Sequence, residues 1–230
     1  MNGVVAALAA EAHALSPSMR RGGPKTFGEI SQLHDGTLLA VSGIGCPAAE
    51  AAARALVAAQ VSALMTFGLA GALDPALAAG TVMLPAELIS RDGARFVTCK
   101  AWRERVAASL GFAVSTDTLL TSRRAIETPA EKAAAFRDTG AAAVDMESAA
   151  VAEVAAAHGL PFIAVRVIVD TAGDELPPAV VAASRAERVE IGRLIAGLVA
   201  APREIAALIR LARRYRMAMR SLALVGTHLA

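Results

Sequence analysis

The chain has 230 residues, 55% of them hydrophobic and 19% charged, with a formal net charge of +2. That is long enough for one substantial domain, or a domain with an appendage, and the charge balance gives no case for nucleic acid as a partner. Cys46 and Cys99 are too few for a disulfide framework or a metal set, so both read as reduced thiols of a cytoplasmic protein. The four histidines show no ligand spacing, and no metal is expected. The start lacks a basic region ahead of an apolar one, so no signal peptide is expected. Residues 55–73 are the one run that imitates a membrane span. Gln60, Ser62, Thr66, two glycines and the Asp74-Pro75 end read better as a helix end, a buried strand and a turn.

In chain order, residues 4–8 form an apolar first strand, followed by Glu11. Residues 20–25 are a loop by composition. Residues 37–41 form a strand that runs into Ser42-Gly43-Ile44-Gly45. Glycines there allow close backbone approach and expose N–H donors to an anion or a water. Pro47 opens a helix to about Gln60. A buried strand at 64–67 leads into a turn, Gly68-Leu69-Ala70-Gly71-Ala72. Further strand and turn are expected through Phe96, a short helix at Trp102, and another helix from Thr128-Pro129 to about Gly140.

Residues 141–175 organise the rest. They read as strand, helix, strand and loop. Asp145 is a good N-cap, and Gly159-Leu160-Pro161 stops the helix. Residues 162–169 form a β-branched run with only Arg166 charged, as in a strand buried on both faces, and Asp170 stands at its end. Ligands of α/β sheets bind outside the carboxyl ends of strands. Glu147 and Asp170 can therefore converge on one crevice. A plain capping role for Asp145, Glu147 and Asp170 satisfies the same spacing.

Val144-Asp145-Met146-Glu147-Ser148-Ala149-Ala150, followed by Arg166-Val167-Ile168-Val169-Asp170, resembles the nucleoside phosphorylase and nucleosidase family, above all its 5'-methylthioadenosine/S-adenosylhomocysteine nucleosidases. The resemblance covers about residues 4–199. It implies an α/β fold of three αβα layers around a central twisted, mixed sheet, as in purine nucleoside phosphorylases. It implies cleavage of the N-glycosidic bond of a 5'-substituted adenosine, with adenine released to water or phosphate. By resemblance, Glu147 binds the ribose hydroxyls and Met146 packs on the sugar. Asp170 protonates the purine at N7, and Glu11 orients the nucleophile. Gly45, Gly68 and Leu69 line the pocket, and Leu119 and Leu120 form an aliphatic platform for the base. No cofactor is implied beyond phosphate as a candidate co-substrate, and a homodimer or larger homo-oligomer is expected.

This chain departs from the family pattern at four positions. Leu69 stands for a serine, Ala72 for a glycine and Val169 for a serine. Thr66 stands where hexameric phosphorylases carry a phosphate-binding arginine, which a hydroxyl cannot replace as a bidentate clamp.

Residues 1–200 form the expected catalytic domain and 201–230 a helical appendage. From Arg203 onward the chain has six arginines and one glutamate. Apolar residues recur at helical spacing over 202–220, which suits either packing on the domain or lying on an anionic membrane face. Size and the altered 68–72 segment resemble the hopanoid-associated phosphorylases, which act on adenosylhopane, and Leu69, the aliphatic platform and the basic tail would suit a nucleoside with a large apolar 5' group. The alternatives are a methylthioadenosine/S-adenosylhomocysteine nucleosidase of methionine salvage and a non-catalytic nucleoside-binding scaffold.

Overall fold

The computed structural model describes residues 1–16, 29–176 and 202–229, with the side chains of 202–208 not described. The loop expected at 20–25 lies outside the described residues, and so do residues 180–199, which read in sequence as a long helical stretch. In chain order the elements are β1 (Asn2–Ala6), α1 (Ala9–Leu15), β2 (Ile30–Gln32), β3 (Leu38–Val41), α2 (Cys46–Ala58) and β4 (Ala63–Ala72). There follow β5 (Val82–Met83), β6 (Glu87–Ile89), β7 (Arg95–Val97), α3 (Lys100–Leu110), β8 (Leu119–Thr121) and α4 (Pro129–Thr139). The last are β9 (Ala143–Asp145), α5 (Ser148–Ala157), β10 (Phe162–Asp170) and α6 (Pro202–Leu229).

The strands join in one mixed sheet. Its middle is parallel: β3, β1, β4 and β10 lie side by side. β4 is ten residues long and forks. It pairs with β10 along most of its length, while its last residues, Gly71 and Ala72, pair antiparallel with β9. From β9 the sheet continues through β8, β6 and β7.

The period of two along the central strands sorts side chains into two cores. Val5, Leu64 and Ala164 face α2 and α5, whose alanine-rich surfaces allow close packing. Val4, Met65, Ile163 and Val165 face α1, α3 and the inner face of α6. Ala218, Leu222 and Val225 of α6 are fully buried there. This is the expected three-layer αβα arrangement. A fully buried leucine or valine such as Leu222 or Val225 contributes about 1.5–3 kcal/mol relative to exposure.

Two expectations change. Residues 68–72 are strand, not turn, because β10 and β9 supply ladder partners up to Ala72. The helix after β9 begins at Ser148 rather than at Met146. Asp145 still caps it from a distance, since its Oδ2 accepts from Ser148 N at 3.1 Å.

Candidate active site

A cleft of about 180 Å3 opens where β4, β9 and β10 meet. Leu69, Gly71, Ile126, Met146, Glu147 and Asp170 are among the residues that line it.

Asp170 ends β10. The ladder between β10 and β4 slips after Ile168, so that Asp170 pairs with Gly71. Such a bulge re-aims a strand's last side chain. A Cβ at Gly71 would stand 3.0 Å from Asp170 Oδ1, so a glycine here leaves room for the carboxylate. Asp170 Oδ2 is ion-paired with the ammonium of Lys132, which α4 brings in from the far side. Burial pushes the Asp170 carboxyl above its usual range, with Lys132 pulling against it.

Glu147 sits at the N-cap position of α5, where its Oε1 accepts from Gly45 N at 2.7 Å. Gly45 has φ +97° and precedes α2, so the loop after β3 donates a backbone N–H into the site. Burial, then the neighbouring Asp145, push the Glu147 carboxyl up to about 7. Met146 lines the cleft beside it.

Glu11, in the first turn of α1, is 4% exposed. It accepts from Leu8 N and Leu69 N, each at 2.9 Å. The second bond places it behind the cleft wall that Leu69 forms. A Cβ at Gly68 would come within 2.5 Å of both Glu11 Oε1 and Arg166 Nη1. Gly68 is thus the gap through which these two side chains approach each other, a recurrent use of strand glycine. Burial raises the Glu11 carboxyl, and Arg166 opposes the shift.

Arg166 anchors a buried network that the sequence reading left out. Its Nη2 pairs with Asp145 Oδ2 at 2.7 Å, both side chains being 2% exposed or less. Its Nε and Nη2 donate to Ser148 Oγ, which also bonds Thr66 Oγ1 at 2.9 Å. Thr121 Oγ1 donates to Asp145 Oδ1 at 2.7 Å. The lone charge in an apolar strand was the visible signal. Lys132 was the other omission. It stands three and four residues before Ala135 and Phe136, which pack on the core, so helical spacing already put it on the inner face.

The structure therefore brings Met146, Glu147, Leu69 and Asp170 to one cleft, with Glu11, Gly45 and Gly68 directly behind it. Leu119 and Leu120 are a correction. Leu119 is fully buried in the main core, Leu120 packs with Leu73, Ile89 and Val144, and neither lines the cleft. β8 is covered on both faces, so Leu119 and Leu120, which point to opposite sides of the sheet, each end in a core cluster. Ser122, Ala125 and Ile126, just after β8, line the cleft instead.

A family model described as the phosphorylase superfamily matches residues 1–200. The chain belongs to that superfamily. Its members break N-glycosidic bonds, and this chain is an enzyme of that kind. A search of curated proteins returned no match. Among solved structures, the fold is similar to the Neisseria meningitidis 5'-methylthioadenosine/S-adenosylhomocysteine nucleosidase in complex with methylthio-immucillin-A. That match has a TM-score of 0.74 at 20% identity and covers 99% of this chain and 97% of that one. It is also similar to the Helicobacter pylori futalosine hydrolase, with a TM-score of 0.70 at 16% identity over 99% and 94% of the two chains. The Campylobacter jejuni 5'-methylthioadenosine/S-adenosylhomocysteine nucleosidase gives 0.65 at 21% identity over 76% and 87%. At these identities the likeness supports the superfamily's fold.

Proposed function

We propose that this protein cleaves the N-glycosidic bond of a 5'-substituted adenine nucleoside and releases adenine. The observation that carries the reading is the meeting of two buried carboxylates, Glu147 and Asp170, in one cleft, with a third, Glu11, bonded to Leu69 behind its wall. Carboxylates held in such different surroundings divide acid and anchoring roles between them.

Asp170 donates a proton to the departing purine. Its raised carboxyl suits a general acid near neutral pH. Glu147 accepts from the ribose hydroxyls, and Met146 covers the sugar. Glu11 orients the nucleophile on the opposite side of the sugar, with Arg166 beside it. Leu69, Ile126 and Val169 give the base an apolar wall in place of an aromatic one. No cofactor enters this reading, and phosphate is the candidate co-substrate. Thr66 is buried on Ser148, and Arg166 is committed to Asp145 and Ser148, which favours water over a phosphate dianion.

The finer substrate we propose is one with a large apolar 5' group, with adenosylhopane the first to try. The apolar Leu69 and Val169 support it. So does the outer surface of α6, where Ile209 and Met217 are 49% and 45% exposed among Arg210, Arg213 and Arg216. That surface would meet an anionic membrane from the cytoplasmic side, while the opposite face of α6 holds the domain. Among the described residues no helix is long and apolar enough to cross a membrane. A homodimer or larger homo-oligomer belongs to the same proposal.

The test is adenine release from methylthioadenosine, S-adenosylhomocysteine, adenosine and a 5'-alkyl adenosine, each with and without phosphate. Release without phosphate is expected, fastest from the alkyl nucleoside. Preference for methylthioadenosine would move the enzyme to methionine salvage. No adenine from any substrate would make it a nucleoside-binding scaffold and overturn the proposal.

A further inference from the structure

Lys132 is 1% exposed, and a lysine so deeply buried is costly unless its ammonium is fully engaged. It is engaged. It pairs with Asp170 Oδ2 and donates to Thr171 O at 2.8 Å and Asp174 O at 3.0 Å. An ammonium has three donors, so all are used. The packing of α4 gives no reason for a cation here, since its inner neighbours are Ile126, Ala135 and Phe136.

The turn after Asp170 is locked from both sides. The Asp174 carboxylate accepts from Thr171 N at 2.8 Å and from Thr171 Oγ1 at 2.6 Å. It also pairs with Arg214 of α6. The charged groups that act on Asp170 are thus Lys132 from α4 and Arg214 from α6, with Asp174 between them. Among the described residues the side chain that donates to Asp170 is Lys132, at Oδ2, and the carboxylate as a whole lies over Gly71 at the cleft.

We propose that Lys132 is a positioning residue for the departing base: it ties down Asp170 Oδ2, leaving Oδ1 to face the purine, and its charge holds the carboxylate that remains once Asp170 has given up its proton. The assignment rests on the reading of Asp170 as the general acid. As the C1'–N9 bond breaks, its electron pair moves into the purine, while the water oriented by Glu11 bonds to C1' and gives up its extra proton to solvent. The proton on Oδ1 moves to N7. Asp170 is left as a carboxylate bonded to Lys132, and solvent restores its proton after adenine leaves. Opposite charge beside a forming carboxylate stabilises the product of proton transfer more than its reactant.

The experiment compares the wild type with Lys132→Met, Lys132→Arg, Asp170→Asn and the Asp170→Asn/Lys132→Met double variant, by the pH profile of kcat for adenine release. Lys132→Met is expected to lower kcat by ~10²-fold. It should also move the alkaline limb of the profile up by about one pH unit or more, because the neutral carboxyl persists longer without the cation. Lys132→Arg keeps the limb near its original place. In the Asp170→Asn background, Lys132→Met changes kcat by no more than about threefold, since its only route to the reaction is gone.

The double variant removes both charges, so it avoids a lone buried ion and can be read even if Lys132→Met does not fold. An unmoved limb, or a double variant about tenfold or more below Asp170→Asn, overturns the role of Lys132 alone. An Asp170→Asn variant as fast as the wild type overturns the general-acid reading, and the role of Lys132 falls with it.

Discussion

On one side of the cleft Asp170 meets a cation directly. Lys132 touches it and also pins the following turn, so one carboxyl oxygen is spoken for by charge. On the other side Glu11 and Glu147 are satisfied by backbone N–H groups of Leu8, Leu69 and Gly45, while Arg166 gives its direct ion pair to Asp145. The two sides use the same functional group for different ends. A carboxylate beside a buried ammonium is suited to losing a proton and being stabilised afterwards. Peptide N–H groups orient Glu11 and Glu147 and favour their ionised forms, but burial, joined at Glu147 by the neighbouring Asp145, outweighs them and holds Glu147 up to about 7. In the proposed reaction this difference would separate the proton donor from the groups that hold the sugar and the nucleophile.

The sharpest way to break this comparison is Asp170→Asn. It should lower adenine release by ~10²–10⁴-fold while near-native circular dichroism shows the fold retained. An effect no larger than that of Glu147→Gln would erase the distinction between the two sides.

Next in size is Asp145→Ala. It leaves Arg166 buried without its counter-ion and should cost about 3–5 kcal/mol of stability in urea unfolding. A loss under about 1 kcal/mol would mean that the Ser148 and Thr66 hydroxyls suffice for the guanidinium.

The smallest effect concerns pH. Glu147 titrates near 4.5 when unfolded and is held up to about 7 in the folded protein. Between those values the folded state keeps a proton that the unfolded chain releases. Stability therefore falls as pH rises through that window, by roughly 2–3 kcal/mol. Glu147→Gln should flatten this dependence, as thermal unfolding at the two ends of the window would show. A variant as pH-dependent as the wild type would assign the titration to Glu11 or Asp170.

Much of the fold could be read from local chemistry. Thr128-Pro129-Ala130-Glu131 encodes a capping box, and the structure has it, with Thr128 Oγ1 accepting from Glu131 N. Gly140 ends that helix in the left-handed region at φ +68°. The β-branched run at 162–169 is a strand with both faces covered. Misreadings arose where partners far along the chain decide the outcome. The glycines at 68 and 71 look like a turn in isolation. In the molecule they are strand positions kept bare so that Glu11, Arg166 and Asp170 can approach. Leu119 and Leu120 look like a ligand platform in sequence, but β8 is an interior strand. Helical spacing puts Lys132 on the inner face of its helix, but nothing local shows that Asp170, 38 residues later, is the group it meets.

The sequence by itself determined the alternation of strands and helices, the caps, and the acidic residues at strand ends, because periodicity and capping act over a few residues. Only the tertiary structure decided which acids share a cleft, which cation each one meets, and which leucines face a ligand. Those outcomes depend on strand order and on the slip in the β10 ladder, and neither is set by neighbours in the chain.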